Sequence, residues 1–94
     1  PALPVAVSAA RGGAYPIAEL RMSSYKNSHI CYIPEHLIVR NVNDVMNDTN
    51  PQTEEDQYIQ KRSEFALKLL SEYAKALQAV RKVDLNFSDY INGM

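Results

Sequence analysis

Apolar residues recur at alternating steps of four and three in the second half of the chain: Ala66, Leu70, Tyr73, Leu77 and Val80, with Leu69 widening the stripe. This is the period of a helix with one apolar face. Thr53, with Asp56 three residues on, gives a capping-box-like start. Glu54, Glu55 and Asp56 suit the positive end of a helix, and Arg81 and Lys82 suit its negative end. No glycine or proline interrupts the run between Gln52 and Asn92. The pattern predicts one long amphipathic helix over 53–82. Beyond it, Val83, Leu85 and Phe87 alternate with Asp84, Asn86 and Ser88, as a short final strand would.

The first half carries weaker periodicity. Residues 1–16 combine Pro1, Pro4 and Pro16 with the Gly12-Gly13 pair, a mixture that disfavours helix and central strand. An extended arm is predicted there. Leu20 and Met22 then alternate with Glu19, Arg21 and Ser23, and Ile30-Cys31-Tyr32-Ile33 follows the turn-like Lys26-Asn27-Ser28, which together read as an antiparallel hairpin or meander. After Pro34 two readings stand. Leu37, Ile38 and Val39 form a β-branched, strand-like run; alternatively Pro34 opens a short helix with Ile38, Val42 and Val45 on one face. The strand is favoured, up to Val42. Residues 43–51, rich in Asn and Asp, read as a loop. The expected fold is therefore α+β: an arm over 1–16 and one small domain over 17–94, built from the hairpin, the long helix and the final strand.

Length sharpens this picture. A helix of about 30 residues spans roughly 45 Å, whereas a globule of this size has a radius of gyration of about 12–13 Å. Unless the helix kinks, part of the apolar stripe then lacks cover from its own chain and needs a partner; the alternative is that the stripe packs wholly on the hairpin and the final strand. Its 94 residues carry 10 basic against 11 acidic side chains, a net charge of -1, so no field draws the chain to nucleic acid or to anionic lipid. Cys31 is the one cysteine, which excludes an intrachain disulfide. The opening Pro-Ala-Leu-Pro-Val-Ala-Val lacks the basic start of an export signal, and no apolar stretch approaches the ~20 residues that span a bilayer. A soluble chain, intracellular or virion-associated, is expected.

Candidate chemistry is sparse. His29, Cys31 and His36 supply three metal-ligand types close together, but their spacing matches no standard site, so neither a metal nor a cofactor is expected. The triplets Asn47-Asp48-Thr49 and Asn86-Phe87-Ser88 match the glycosylation pattern by chance composition. Glu54, Glu55 and Asp56 read as surface charges that complement the helix dipole. Tyrosines 15, 25, 32, 58, 73 and 90 offer amphipathic anchors of the kind enriched at protein interfaces.

One family resemblance bears on activity. Pro1, together with Arg62-Ser63, the long helix and then Val83-Asp84-Leu85-Asn86-Phe87-Ser88-Asp89, resembles the tautomerase superfamily over about the last third of the chain. The resemblance implies two strand-helix-strand units. It also implies that Pro1 acts as a general base, through a secondary amine whose pKa the pocket lowers. Such a unit has its first long helix after Val7, a place held here by Gly12, Gly13 and Pro16, where the chain departs from the pattern. The leading expectation is instead a non-enzymatic structural or interaction subunit of a homo-oligomer or larger assembly, such as a viral or phage particle component or an accessory subunit. Pro4, Val5, Tyr15, Leu69, Leu70, Tyr73, Leu77 and Val80 are its candidate contact residues, and the small Pro1 tautomerase-like enzyme is the alternative.

Overall fold

The computed structural model describes residues 1–24 and 28–91. Strand β1 (Val5–Val7) is followed by helix α1 (Ala14–Ser23) and strand β2 (Leu37–Val39). Helix α2 (Glu54–Ala76), the one-turn helix α3 (Gln78–Arg81) and a 3-10 turn at Phe87–Tyr90 complete the chain. β1 and β2 pair in parallel, with Val5 opposite Leu37, Ala6 opposite Ile38 and Val7 opposite Val39. The expected antiparallel hairpin is thus overturned. The Lys26-Asn27 part of its turn lies outside the described residues.

The arm is the first strand of the sheet. Beyond the ladder itself, Ala2 N–H donates to the Cys31 carbonyl at 2.8 Å, Leu37 N–H to the Pro4 carbonyl at 3.0 Å and Ser8 N–H to the Val39 carbonyl at 2.8 Å. Pro4 lacks an N–H but keeps an acceptor, and that acceptor is what this position supplies. Leu20 and Met22, expected on a strand, lie on α1. Their two-residue alternation is too short to outweigh a helix start that the glycines and Pro16 permit. Gly13 takes the N-cap position at φ 101°, a left-handed conformation that glycine adopts without strain. Pro16 falls in the first turn, where a missing N–H leaves nothing unpaired. A parallel pair needs a crossover, and α1 provides it.

Two arginines clamp the segment between α1 and β2. Arg21 Nη2 donates to the carbonyls of Ile33 (3.1 Å) and Glu35 (2.8 Å) while its guanidinium stands 5.9 Å from the Tyr32 ring centre. From the other side Arg62 Nη2 reaches both Glu35 carboxylate oxygens at 2.8 Å. The Glu35 carboxyl is held below its usual range, first by the His36 N–H it accepts and then by Arg62. Ile33, between the clamps, is fully buried.

α2 packs its first half on the sheet through Ile59, Ser63 and Ala66, with Val39, Val45 and Ile59 as a core cluster flanked by Val42. Burying each such aliphatic side chain stabilises the fold by roughly 1.5–3 kcal/mol. Thr53 caps the helix, its hydroxyl accepting from Asp56 N–H at 3.1 Å. Asp56, expected as a surface charge, is 1% exposed. Its carboxylate accepts from Met46 N–H (2.9 Å), Gln52 N–H (3.0 Å) and Gln60 Nε2 (3.0 Å), which ties the 43–51 loop to the helix start. These bonds, from the Met46 and Gln52 amides above all, hold its pKa below the ordinary value.

Past Ala66 no residue of α2 is fully buried. The helix expected over 53–82 is divided at Leu77 (φ -79°, ψ 1°), where α2 ends and α3 continues to Arg81. The short final strand expected at Val83–Phe87 is absent among the described residues, because a strand needs a ladder partner and none lies alongside. Instead Asn86 Oδ1 accepts from Ser88 N–H at 3.2 Å and starts the 3-10 turn. The molecule is elongated, 51 × 26 × 17 Å, with a radius of gyration of 16.5 Å. Among the described residues no helix is long and apolar enough to cross a membrane.

Two stability outcomes follow from these contacts. Gly13→Ala would place a Cβ 2.5 Å from Ile38 Cγ2 at a positive φ, and urea unfolding should show a loss of about 1–3 kcal/mol. Asp56→Asn replaces an acceptor by a donor that faces one of the two amides, so its melting temperature at neutral pH should fall below that of the parent. A depressed folded pKa means the Asp56 contribution is complete above the ordinary aspartate pKa of about 3.9 and disappears as pH falls through the folded value. The melting gap between Asp56→Asn and parent should therefore close on acidification; a gap that is constant from neutral to strongly acidic pH would refute this.

Candidate functional site

Two grooves and one uncovered helix face hold the residues of interest. The first groove, about 330 Å³, is lined by Pro1, His29, Cys31, Leu77, Val80 and Arg81. It forms because β1 begins at the same end of the sheet where α2 ends, so the strand start meets the α2–α3 junction. Cys31 is exposed, and His29 holds a positive φ of 55°. Arg81 is anchored by Nη2 donating to the Ala74 carbonyl at 3.0 Å. The site joins a hydrocarbon wall (Leu77, Val80, the Pro1 ring) to one guanidinium, one thiol and one imidazole. That set suits a small molecule with an apolar body and a negative end.

The second groove follows the outer edge of β2. Its larger part, about 200 Å³, is lined by His36, Leu37, Ile38, Arg40, Tyr58, Ile59 and Arg62. An adjoining part of about 100 Å³ adds Val45 and Glu55. In the ladder, Leu37 and Val39 direct their amides and carbonyls at β1. By the alternation of a parallel strand, those of Ile38 point into this groove. Arg40 Nε donates to the carbonyls of Arg11 (3.0 Å) and Gly12 (3.2 Å), both neutral acceptors, whereas Arg62 is already matched to Glu35.

The uncovered face lies on the second half of α2, where Leu69, Glu72, Tyr73 and Ala76 border an apolar hollow of about 190 Å³.

The candidate residues divide among these places. Leu77 and Val80 lie at the Pro1 groove, and Leu69 and Tyr73 at the helix hollow. Leu70 is half-buried along the same helix. Tyr15 is 89% exposed on α1, apart from both grooves. Val5 is half-exposed on β1, and Pro4 is buried within the chain. Of the three potential metal ligands, His29 and Cys31 share the Pro1 groove and His36 belongs to the other, and no cluster of three or more such ligands occurs among the described residues.

Arg40, Ile59 and Arg62 of the β2-edge groove were not singled out as site residues by the sequence pattern. Ile59 could have been found by extending the apolar stripe backward from Ala66 through Ser63; Arg40 carries no linear signal, and Arg62 enters the sequence reading only in the Arg62-Ser63 pair of the family resemblance.

No protein-family model matches the chain, and no curated protein or solved structure matches it either.

Proposed function

We propose that this chain is a non-enzymatic interaction subunit that assembles with copies of itself, within a larger complex or particle inside the cell or a virion. The sheet carries this reading. It has two parallel strands, so among the described residues each strand keeps one edge without a neighbour. Parallel sheets are characteristically buried on both faces, and two strands alone are marginal in water. Here Val5 and Val7 are 49% and 62% exposed on the same face as the buried Leu37 and Val39. The apolar hollow at Leu69, Tyr73 and Ala76 adds a helix face to the surface that a partner copy would cover.

A second reading, the tautomerase-like one, has its own support. The unit β1-α1-β2 is a strand-helix-strand unit with parallel strands, and Pro1 stands at its head in the 330 Å³ groove beside His29, Cys31 and Arg81. This reading requires Pro1 to be the first residue of the mature chain, with its secondary amine free to take a proton from carbon next to a carbonyl.

Light scattering over a hundredfold concentration range tests the first reading, which expects a dimer or larger species. The double variant Leu69→Lys/Tyr73→Lys should shift that equilibrium toward monomer with its helix content unchanged by circular dichroism; a folded parent that stays monomeric throughout would sink the reading. For the second, ultraviolet absorbance of an enolisable α-keto acid should show tautomerisation that is lost on acylating the Pro1 amine, with the oligomer intact. No turnover by the unmodified chain would exclude it.

A further inference from the structure

The open edge of β2 identifies a more particular partner, and the inference rests on the self-association reading above. We propose that residues 83–86 of one copy, Val83-Asp84-Leu85-Asn86, add as a strand to the β2 edge of a second copy, in the groove between β2 and α2.

Four observations converge on this pairing. First, the groove presents the Ile38 backbone along an edge that carries no strand among the described residues, which is a template for strand addition. Second, residues 83–86 alternate apolar and polar as a strand requires, yet run outside any helix or strand, with Val83 56% and Leu85 55% exposed. A segment with strand alternation and no ladder is the natural complement of a ladder with no strand. Third, the chemistry matches on both sides of such a strand. Val83 and Leu85 would lie on one face, toward the Tyr58 and Ile59 wall. Asp84 would fall on the other, toward Arg40, whose hydrogen-bond acceptors are neutral carbonyls. An Asp–Arg contact at a strand edge also fixes register.

Fourth, a chain cannot fill its own groove. The groove is walled by Tyr58, Ile59 and Arg62 near the start of α2, whereas residues 83–86 leave from the opposite end, beyond Leu77, Val80 and Arg81 at the Pro1 groove. From Arg62 to the helix end at Ala76 is about 14 residues, or roughly 21 Å of helix, with α3 still to follow. Four extended residues reach only about 13 Å. The donor must be another copy. Because the donating and accepting surfaces differ, two copies either exchange segments reciprocally in a closed dimer or propagate as a ring or an open chain of subunits.

The test uses the full chain. Light scattering compares the parent with Val83→Ser/Leu85→Ser and with Leu85→Pro, whose dissociation constants should rise about tenfold or more. Both substitutions lie outside the buried core, and unchanged circular dichroism confirms folding. The charge reversals Asp84→Arg and Arg40→Glu should each weaken association, and together restore it. In a Cys31→Ser background, chains carrying His36→Cys are mixed with chains carrying Leu85→Cys and treated with a short bismaleimide; a crosslink between the two kinds of chain is expected. If the parent associates but the 83/85 variants associate equally and no mixed crosslink forms, the strand-addition proposal is overturned while self-association stands. If the parent is monomeric, both fall together.

Discussion

Two parallel strands cannot be joined by a tight turn, and the rest of this structure depends on that constraint. Once β1 pairs with β2 in parallel, the chain between them must cross from one end of the sheet to the other, and α1 is the crossover. The crossing brings Ala6, Ile38 and the Gly13 backbone together, where a side chain on Gly13 would strike Ile38. It also leaves carbonyls in the 33–36 segment that no strand can take, and Arg21 from α1 satisfies two of them. The same geometry puts the chain start beside Cys31, so that Ala2 bridges to Tyr32 and Pro1 ends next to the α2–α3 junction.

The second anchor is Asp56. A buried carboxylate is tolerated because it accepts from two backbone amides and one side-chain amide, which repays much of its lost hydration. Through Met46, held at a positive φ of 58°, it fixes the loop that would otherwise be free to slide over Ile59. Val45, 2% exposed, is then seated against Val39 and Ile59. α2 is thus tightly held at its start and thinly covered at its end, and every candidate surface follows from that imbalance. The β2-edge groove opens where the helix is anchored, and the Pro1 groove and apolar hollow open where it leaves the sheet.

The two functional readings place different demands on the same architecture. Self-association uses what is unfinished: open strand edges, exposed Val5 and Val7, and a helix half without cover. Enzymatic chemistry would use what converges: Pro1, His29, Cys31 and Arg81 around one cavity. Neither surface includes Asp56 or Arg21; the β2-edge groove does share Arg62 with the clamp on Glu35, so it is probed at Arg40 and at residues 83–86 and not at Arg62.

The long helix was legible in the sequence because its signals are local. A cap at Thr53, the period of Ala66, Leu70, Tyr73 and Leu77, and the absence of glycine and proline act within a few turns. The loop over 43–51 and the strand character of Leu37–Val39 were legible for the same reason. What the tertiary structure alone decided is pairing. The arm became β1 because β2 supplied its hydrogen-bond partners, and Gly13 and Pro16 became a helix start because a crossover had to begin there. Residues 83–86 join no ladder among the described residues, because strand pairing needs an edge within reach and their spacing alone supplies none. The candidate site divides in the same way. Pro1, His29, Cys31, Leu77 and Val80 each stand out by residue type or period, but their meeting in one groove depends on which end of the sheet the helix reaches. Strand pairing and groove formation are contacts between residues far apart in sequence, and a linear pattern holds no term for them.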